Sequence, residues 1–132
     1  MKIINKTRLL IIKDTKILVL ENLGVPKKLT LAGGTTKKKE TIEQSVIREV
    51  KEEINLNIHY SDLSYFYSLS KRTGANILAK HFYICNKIIC NFNVVELDKF
   101  KAVYWLDWSS ALKYMDKLDK KAVKLYFKSI NI

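Results

Sequence analysis

The sequence predicts an α/β protein, a three-layer α/β/α sandwich on a mixed β-sheet, with residues 1–132 forming one domain. Three observations lead there. Short apolar runs of strand length recur from the N-terminus to residue 106. Two other segments, after Thr41 and after Asp119, carry their apolar residues at helical spacing. Helices that interrupt and follow a set of strands bury their apolar stripes on the faces of the sheet.

Size and composition agree. A chain of 132 residues that is 48% hydrophobic buries a substantial core as one unit. It has one Pro and four Gly, with no linker, low-complexity tract or repeat.

The elements follow in order. Residues 7–12 and 17–20 are apolar and flank Lys13-Asp14-Thr15-Lys16, which predicts a hairpin. The run Leu9-Leu10-Ile11-Ile12 sits between Arg8 and Lys13 and is too short for a signal-peptide core. No segment approaches a membrane span, so no membrane partner and a cytoplasmic location are expected. Leu29-Thr30-Leu31 reads as a short strand that runs into Gly33-Gly34, a tight turn with accessible carbonyls.

A helix is predicted next. Thr41 and Gln44 fit a capping box, and Ile47, Val50 and Ile54 recur at the spacing of a buried face. Asn55 tolerates the left-handed conformation that ends many helices. Residues 64–69 and 77–85 are apolar and aromatic, separated by Lys71-Arg72-Thr73-Gly74, and should pair as antiparallel strands. Residues 102–106 form a further strand. Residues 109–114 make a short helix with Asp107 or Ser109 near its start. Residues 119–129 form a C-terminal amphipathic helix.

The chemistry concentrates in the first helix. Glu49, Glu52 and Glu53 stand at i, i+3 and i+4 and share one edge of its last turn. Their mutual repulsion and the negative end of the helix dipole each cost a few tenths to ~1 kcal/mol. A hard divalent cation with oxygen ligands reverses the sign of both effects. Three glutamates alone are more often a solvated helix face, with Arg48 and Lys51 as surface partners. The upstream order of strand, glycine turn, loop, Glu40 and helix changes that balance, because it builds a pocket.

Gly34, Glu40, Arg48, Glu49, Val50, Glu52, Glu53 and Leu56 match the pattern G-x5-E-x7-R-E-U-x-E-E-x-G-U in register, where U is a bulky apolar residue. Residues 34–56 thus resemble the Nudix box of the MutT-like Nudix hydrolases. Asn55 stands where the family has glycine, Ala32 replaces a frequent proline, and Lys39 replaces a frequent glycine. None of these departures removes a charged group.

The resemblance implies the Nudix fold and a Mg²⁺- or Mn²⁺-dependent pyrophosphohydrolase acting on a nucleoside diphosphate linked to another moiety. It assigns metal binding to Glu49, Glu52 and Glu53 with the Gly33 carbonyl, and the role of base to one of the acids. It assigns orientation of a neighbouring acid to Arg48, and support of the site to Gly34 and Glu40. It also implies one more carboxylate ahead of a late strand, for which Glu96 and Asp98 are eligible. The candidate substrates are nucleoside triphosphates, damaged nucleotides, dinucleoside polyphosphates, nucleotide sugars and RNA 5′ ends. A reading from another class is a catalytically silent nucleotide- or RNA-binding regulatory domain. The complete set of box acids argues against it.

The chemistry stands without the family. A pyrophosphate repels nucleophiles, and magnesium neutralises that charge and acidifies a bound water. Mg²⁺ takes few carboxylates and keeps waters and substrate phosphates in its shell. A carboxylate beside it accepts the water proton.

The net charge of +11 comes mostly from lysines spread along the chain and reads as compositional bias rather than a nucleic-acid interface. Lys37, Lys38 and Lys39 form the one local run and are candidate polyphosphate contacts, with Lys27, Lys28, Arg72 and Lys80 as weaker ones. Cys85 and Cys90 lack a His partner at ligand spacing and read as free thiols. His59 and His81 are isolated. Tyr65, Phe66, Tyr67, Phe82, Tyr83 and Trp105 are strand aromatics, which read as core.

Overall fold

Alternation along the central strands divides the apolar side chains between two faces, and a helical layer covers each. The computed structural model describes residues 1–89 and 91–130. Its strands are β1 (Ile3–Leu10), β2 (Ile12–Lys13), β3 (Lys16–Asn22), β4 (Leu29–Thr30), β5 (Leu63–Thr73), β6 (Asn76–Cys85) and β7 (Phe100–Asp107). Its helices are α1 (Ile42–Ile54), α2 (Trp108–Ala111) and α3 (Lys117–Ser129), with single 3-10 turns at Tyr60–Asp62 and Leu112–Tyr114.

Leu9, Ile11, Leu18 and Leu20 pack with Val46, Val50 and Ile54 of α1. Leu10, Ile17 and Val19 point the other way and pack with Ala111 of α2 and with Ala122, Val123 and Phe127 of α3. This is the period-two pattern of a sheet buried on both sides. It makes the expected three-layer sandwich.

The strands form two sheets. One has the order β1-β6-β5, with β1 parallel to β6 and β5 antiparallel to it. In the other, β3 pairs with β2, β4 and β7, all antiparallel. Backbone bonds Leu9 N–H to Ala32 O and Thr7 N–H to Gly34 O, each 2.8 Å, lay residues 32–34 along the free edge of β1. The glycine turn is therefore fixed against β1 before the chain enters α1.

Several element boundaries differ from the sequence reading. The first strand starts at Ile3, because residues 3–10 pair in parallel with β6, and only Ile12–Lys13 remains for the hairpin with β3. The turn between β5 and β6 lies at Gly74 and Ala75, with Lys71-Arg72-Thr73 inside the ladder. α3 begins at Lys117, capped by Asp116, whose side chain accepts from Asp119 N–H. Cys85 is free. Cys90 lies outside the described residues.

Candidate active site

α1 ends as its sequence dictates. Thr41 Oγ1 accepts from Gln44 N–H at 3.1 Å, and Gln44 returns a bond to Thr41 N–H at 2.9 Å. At the other end Asn55 is left-handed, with φ 57° and ψ 36°, and its N–H reaches the carbonyls of Val50 and Lys51. Asn supplies at this helix end what glycine supplies elsewhere.

Residues 33–36 run antiparallel alongside α1, one contact per step. Gly33 N–H donates to Glu53 Oε1 at 2.8 Å. Gly34 lies against Glu49, so that a Cβ there would meet the carboxyl carbon at 2.5 Å. Thr35 O accepts from Arg48 Nη2 at 3.2 Å, and Thr36 Oγ1 donates to Ser45 Oγ at 3.1 Å. The glycines allow this approach. Gly33 has φ +142°, and a Cβ on it would overlap the Thr7 carbonyl.

Arg48 is the hub of the polar network. Its Nε and Nη2 each donate to a Glu40 oxygen at 2.8 Å, a two-pronged pair. Its Nη1 donates to Glu49 at 2.8 Å and to Glu52 at 3.3 Å. Lys37 N–H also binds Glu40 Oε1 at 2.7 Å. The Arg48 hydrogen bonds, helped by Lys37 N–H, hold the Glu40 carboxyl down at about 2. Glu40 in turn raises the basicity of Arg48.

Glu53 is the opposite case. It is 5% exposed and receives the one Gly33 bond. Burial pushes its carboxyl up to about 8; Glu49 and Glu96 push the same way, while Gly33 N–H and Arg8 hold it back. Asn93 N–H and Val95 N–H bond to the carbonyls of Ile54 and Glu53, which docks residues 93–96 on the end of α1. Of the two eligible late acids, Glu96 is the one brought to Glu53. Its Oε2 pairs with Lys99 at 3.1 Å, and its Oε1 is buried without a partner. Asp98 is exposed two residues on.

Other expected contacts lie elsewhere. Lys80 is not a free phosphate contact. It points to the α3 face, 2% exposed, and its ammonium bonds to Asp116 at 2.6 Å and Asp119 at 2.8 Å. Arg72 is exposed and in register with Ile77 and Ile3, five residues along β1 from Arg8, or about 16 Å. Lys37, Lys38 and Lys39 are exposed before the first turn of α1, while Glu49, Glu52 and Glu53 rise about 10–17 Å further along it; the backbone of Lys37 and the side chain of Arg48 meet at Glu40. Lys27 lies over the Tyr114 ring at 4.6 Å. The polar contact Thr7–Ser45–Thr36 escaped the sequence reading; its one signal was a serine on the apolar stripe beside Val46.

The donor set suits a hard divalent ion. Glu53 is buried with no cation paired to it, and Glu96, held by Lys99 through Oε2, leaves its buried Oε1 without a donor. Among the described residues no three acidic, His or Cys side chains converge into a metal cage. Glu49 and Glu52 instead lean on Arg48. They remain oxygen donors on the same edge of α1 as Glu53.

The NUDIX domain family model matches residues 4–126. The chain belongs to the Nudix hydrolase family. The match extends the likeness seen in the box across nearly the whole fold. The Nudix chain is also similar to solved structures that share the architecture. The solution structure of the Escherichia coli ORF135 protein has 20% identity and a TM-score of 0.82, covering 99% of this chain and 94% of that one. The crystal structure of a MutT Nudix hydrolase from Burkholderia pseudomallei has 19% identity and a TM-score of 0.77, covering 92% and 96%. A Caenorhabditis elegans Ap4A hydrolase has 16% identity and a TM-score of 0.71, covering 96% and 97%. No curated protein matches the sequence significantly. The Nudix assignment makes the chain a hydrolase of the pyrophosphohydrolase type.

Proposed function

We propose that this Nudix domain is a Mg²⁺- or Mn²⁺-dependent pyrophosphohydrolase that cleaves the diphosphate linkage of a nucleotide or related compound. The observation that carries this reading is Glu53, a carboxylate buried at the negative end of a helix with no cation of the protein paired to it. Glu49, Glu52 and Glu53, with the Gly33 carbonyl, would hold the ion, and Glu96 completes the set ahead of Asp98. Held there, such an ion would supply charge neutralisation of the diphosphate and a lowered pKa for an attacking water.

The protein's own groups do the rest. Gly33 N–H fixes the Glu53 carboxyl. Glu40 locks the Arg48 plane, and Arg48 aims Glu49 and Glu52. The absence of a side chain on Gly34 leaves room for the Glu49 carboxylate. One acid of this cluster takes the water proton. The test is phosphate release from a panel of nucleoside triphosphates, dinucleoside polyphosphates, nucleotide sugars and 5′-triphosphorylated RNA, with and without Mg²⁺. Metal-dependent turnover that disappears in Glu52→Gln and Glu53→Gln is expected. Binding without turnover across the panel would refute the assignment.

A further inference from the structure

A groove of about 770 Å³ opens between the start of β1 and the loop that leads into α1. It lies at the helix end away from the acid cluster. Lys2, Ile3, Asn5, Lys37, Lys38 and Ile42 are among its lining residues. Its volume falls in the range of about 300–1,000 Å³ usual for small-molecule sites, and its mixture of apolar surface with a few polar groups is also typical.

The charge of this groove is unbalanced. Lys2, Lys37 and Lys38 are exposed, and among the described residues none of them is in a salt bridge. The two nearby carboxylates are already engaged. Glu40 is held by Arg48 and Lys37 N–H, and Glu43 accepts from Tyr83 OH. The capping box occupies Thr41, so the helix start itself is satisfied. Ile3 is 61% exposed. It stands in the same groove as half-buried Ile42.

The polar lining is ordered from beneath. Ser68 Oγ lies 2.8 Å from His81 Nδ1, and His81 Nε2 lies 2.9 Å from Asn5 Oδ1. Tyr65 OH donates to Ser68. With Ser68 donating onward to Nδ1, the ring carries its proton on Nε2 and gives it to Asn5 Oδ1. The Asn5 amide N–H donors are left for a ligand.

We propose that this groove is a second binding site, separate from the acid cluster, for a nucleoside phosphate. The apolar surface of Ile3 and Ile42 takes the base, Asn5 contacts its polar edge, and Lys2, Lys37 and Lys38 take the phosphates. Glu40 connects the two sites, since it lines the groove and also grips Arg48.

The test uses the full chain carrying Glu52→Gln and Glu53→Gln, in EDTA, titrated with ADP and followed by backbone amide NMR. Shifts should gather at residues 2–5 and 35–42. Substituting Lys2→Ser and Lys38→Ser together, both at exposed positions, should raise the Kd at least tenfold. Shifts confined to residues 49–56, no shifts at millimolar ADP, or an unchanged Kd in the lysine variant would overturn the proposal. Pyrophosphate binding as tightly as ADP would remove its nucleoside half. None of these readouts is turnover, so ADP binding here in a protein that hydrolyses nothing would support this site while refuting the catalytic reading.

Discussion

Gly33 N–H donates to Glu53 Oε1 at 2.8 Å, and that bond ties the glycine turn to the last turn of α1. One backbone donor does not offset the burial of a carboxylate. The folded, metal-free protein therefore holds a proton on Glu53 up to about pH 8, whereas the unfolded chain releases it near 4.5.

The sign of the pH dependence follows. Between about 4.5 and 8 the folded state binds more protons than the unfolded state, so metal-free stability falls as pH rises through that window. Glu53→Gln should flatten this slope and raise the melting temperature at pH 8 in EDTA. Thermal melts from pH 5 to 8.5 check it, and a slope that persists in the variant would place its origin elsewhere.

The two glycines should separate structure from chemistry. Gly33→Ala would drive a Cβ to 2.0 Å from the Thr7 carbonyl in a backbone conformation that L residues avoid, at a cost of several kcal/mol. Gly34→Ala meets first the far end of the Glu49 side chain rather than backbone. It should keep most of its stability and lose at least tenfold in kcat, as the carboxylate is displaced. Denaturant unfolding and steady-state kinetics on both variants test the contrast.

Glu40→Gln removes one charge from the two-pronged pair with Arg48. A charge-assisted pair of this kind contributes about 1–2 kcal/mol. The larger effect should be on kcat, because Arg48 then loses its fixed plane and the aim it gives Glu49 and Glu52. Retained kcat with lowered stability would make Glu40 purely structural.

Asn55 sits at φ 57°. Asn55→Gly should be neutral within a few tenths of a kcal/mol, and Asn55→Ala should destabilise by about 1 kcal/mol. Equal melting temperatures for the two variants would contradict the left-handed cap.

What was legible in the sequence was local. Both caps of α1 were readable because capping depends on residues three or four apart. The register of the box was readable for the same reason. Strand extent was not, since the start of β1 is set by its parallel pairing with β6 some 70 residues on. Lys80 was misjudged because its partners, Asp116 and Asp119, come from α3 across the sheet. The choice between Glu96 and Asp98 depended on residues 93–96 docking on α1, which no spacing encodes. The lysine run was visible, but its place at the start of α1 follows from residues 33–36 lying along the helix, which no spacing encodes.

The most direct measurement is calorimetric titration of Mn²⁺ into the wild-type protein and Glu53→Gln, each with a non-hydrolysable diphosphate compound present. Mn²⁺ should bind the wild type, and bind the variant at least tenfold more weakly while the fold is retained. Equal Mn²⁺ affinity in both proteins, or no binding to a folded wild type, would contradict it.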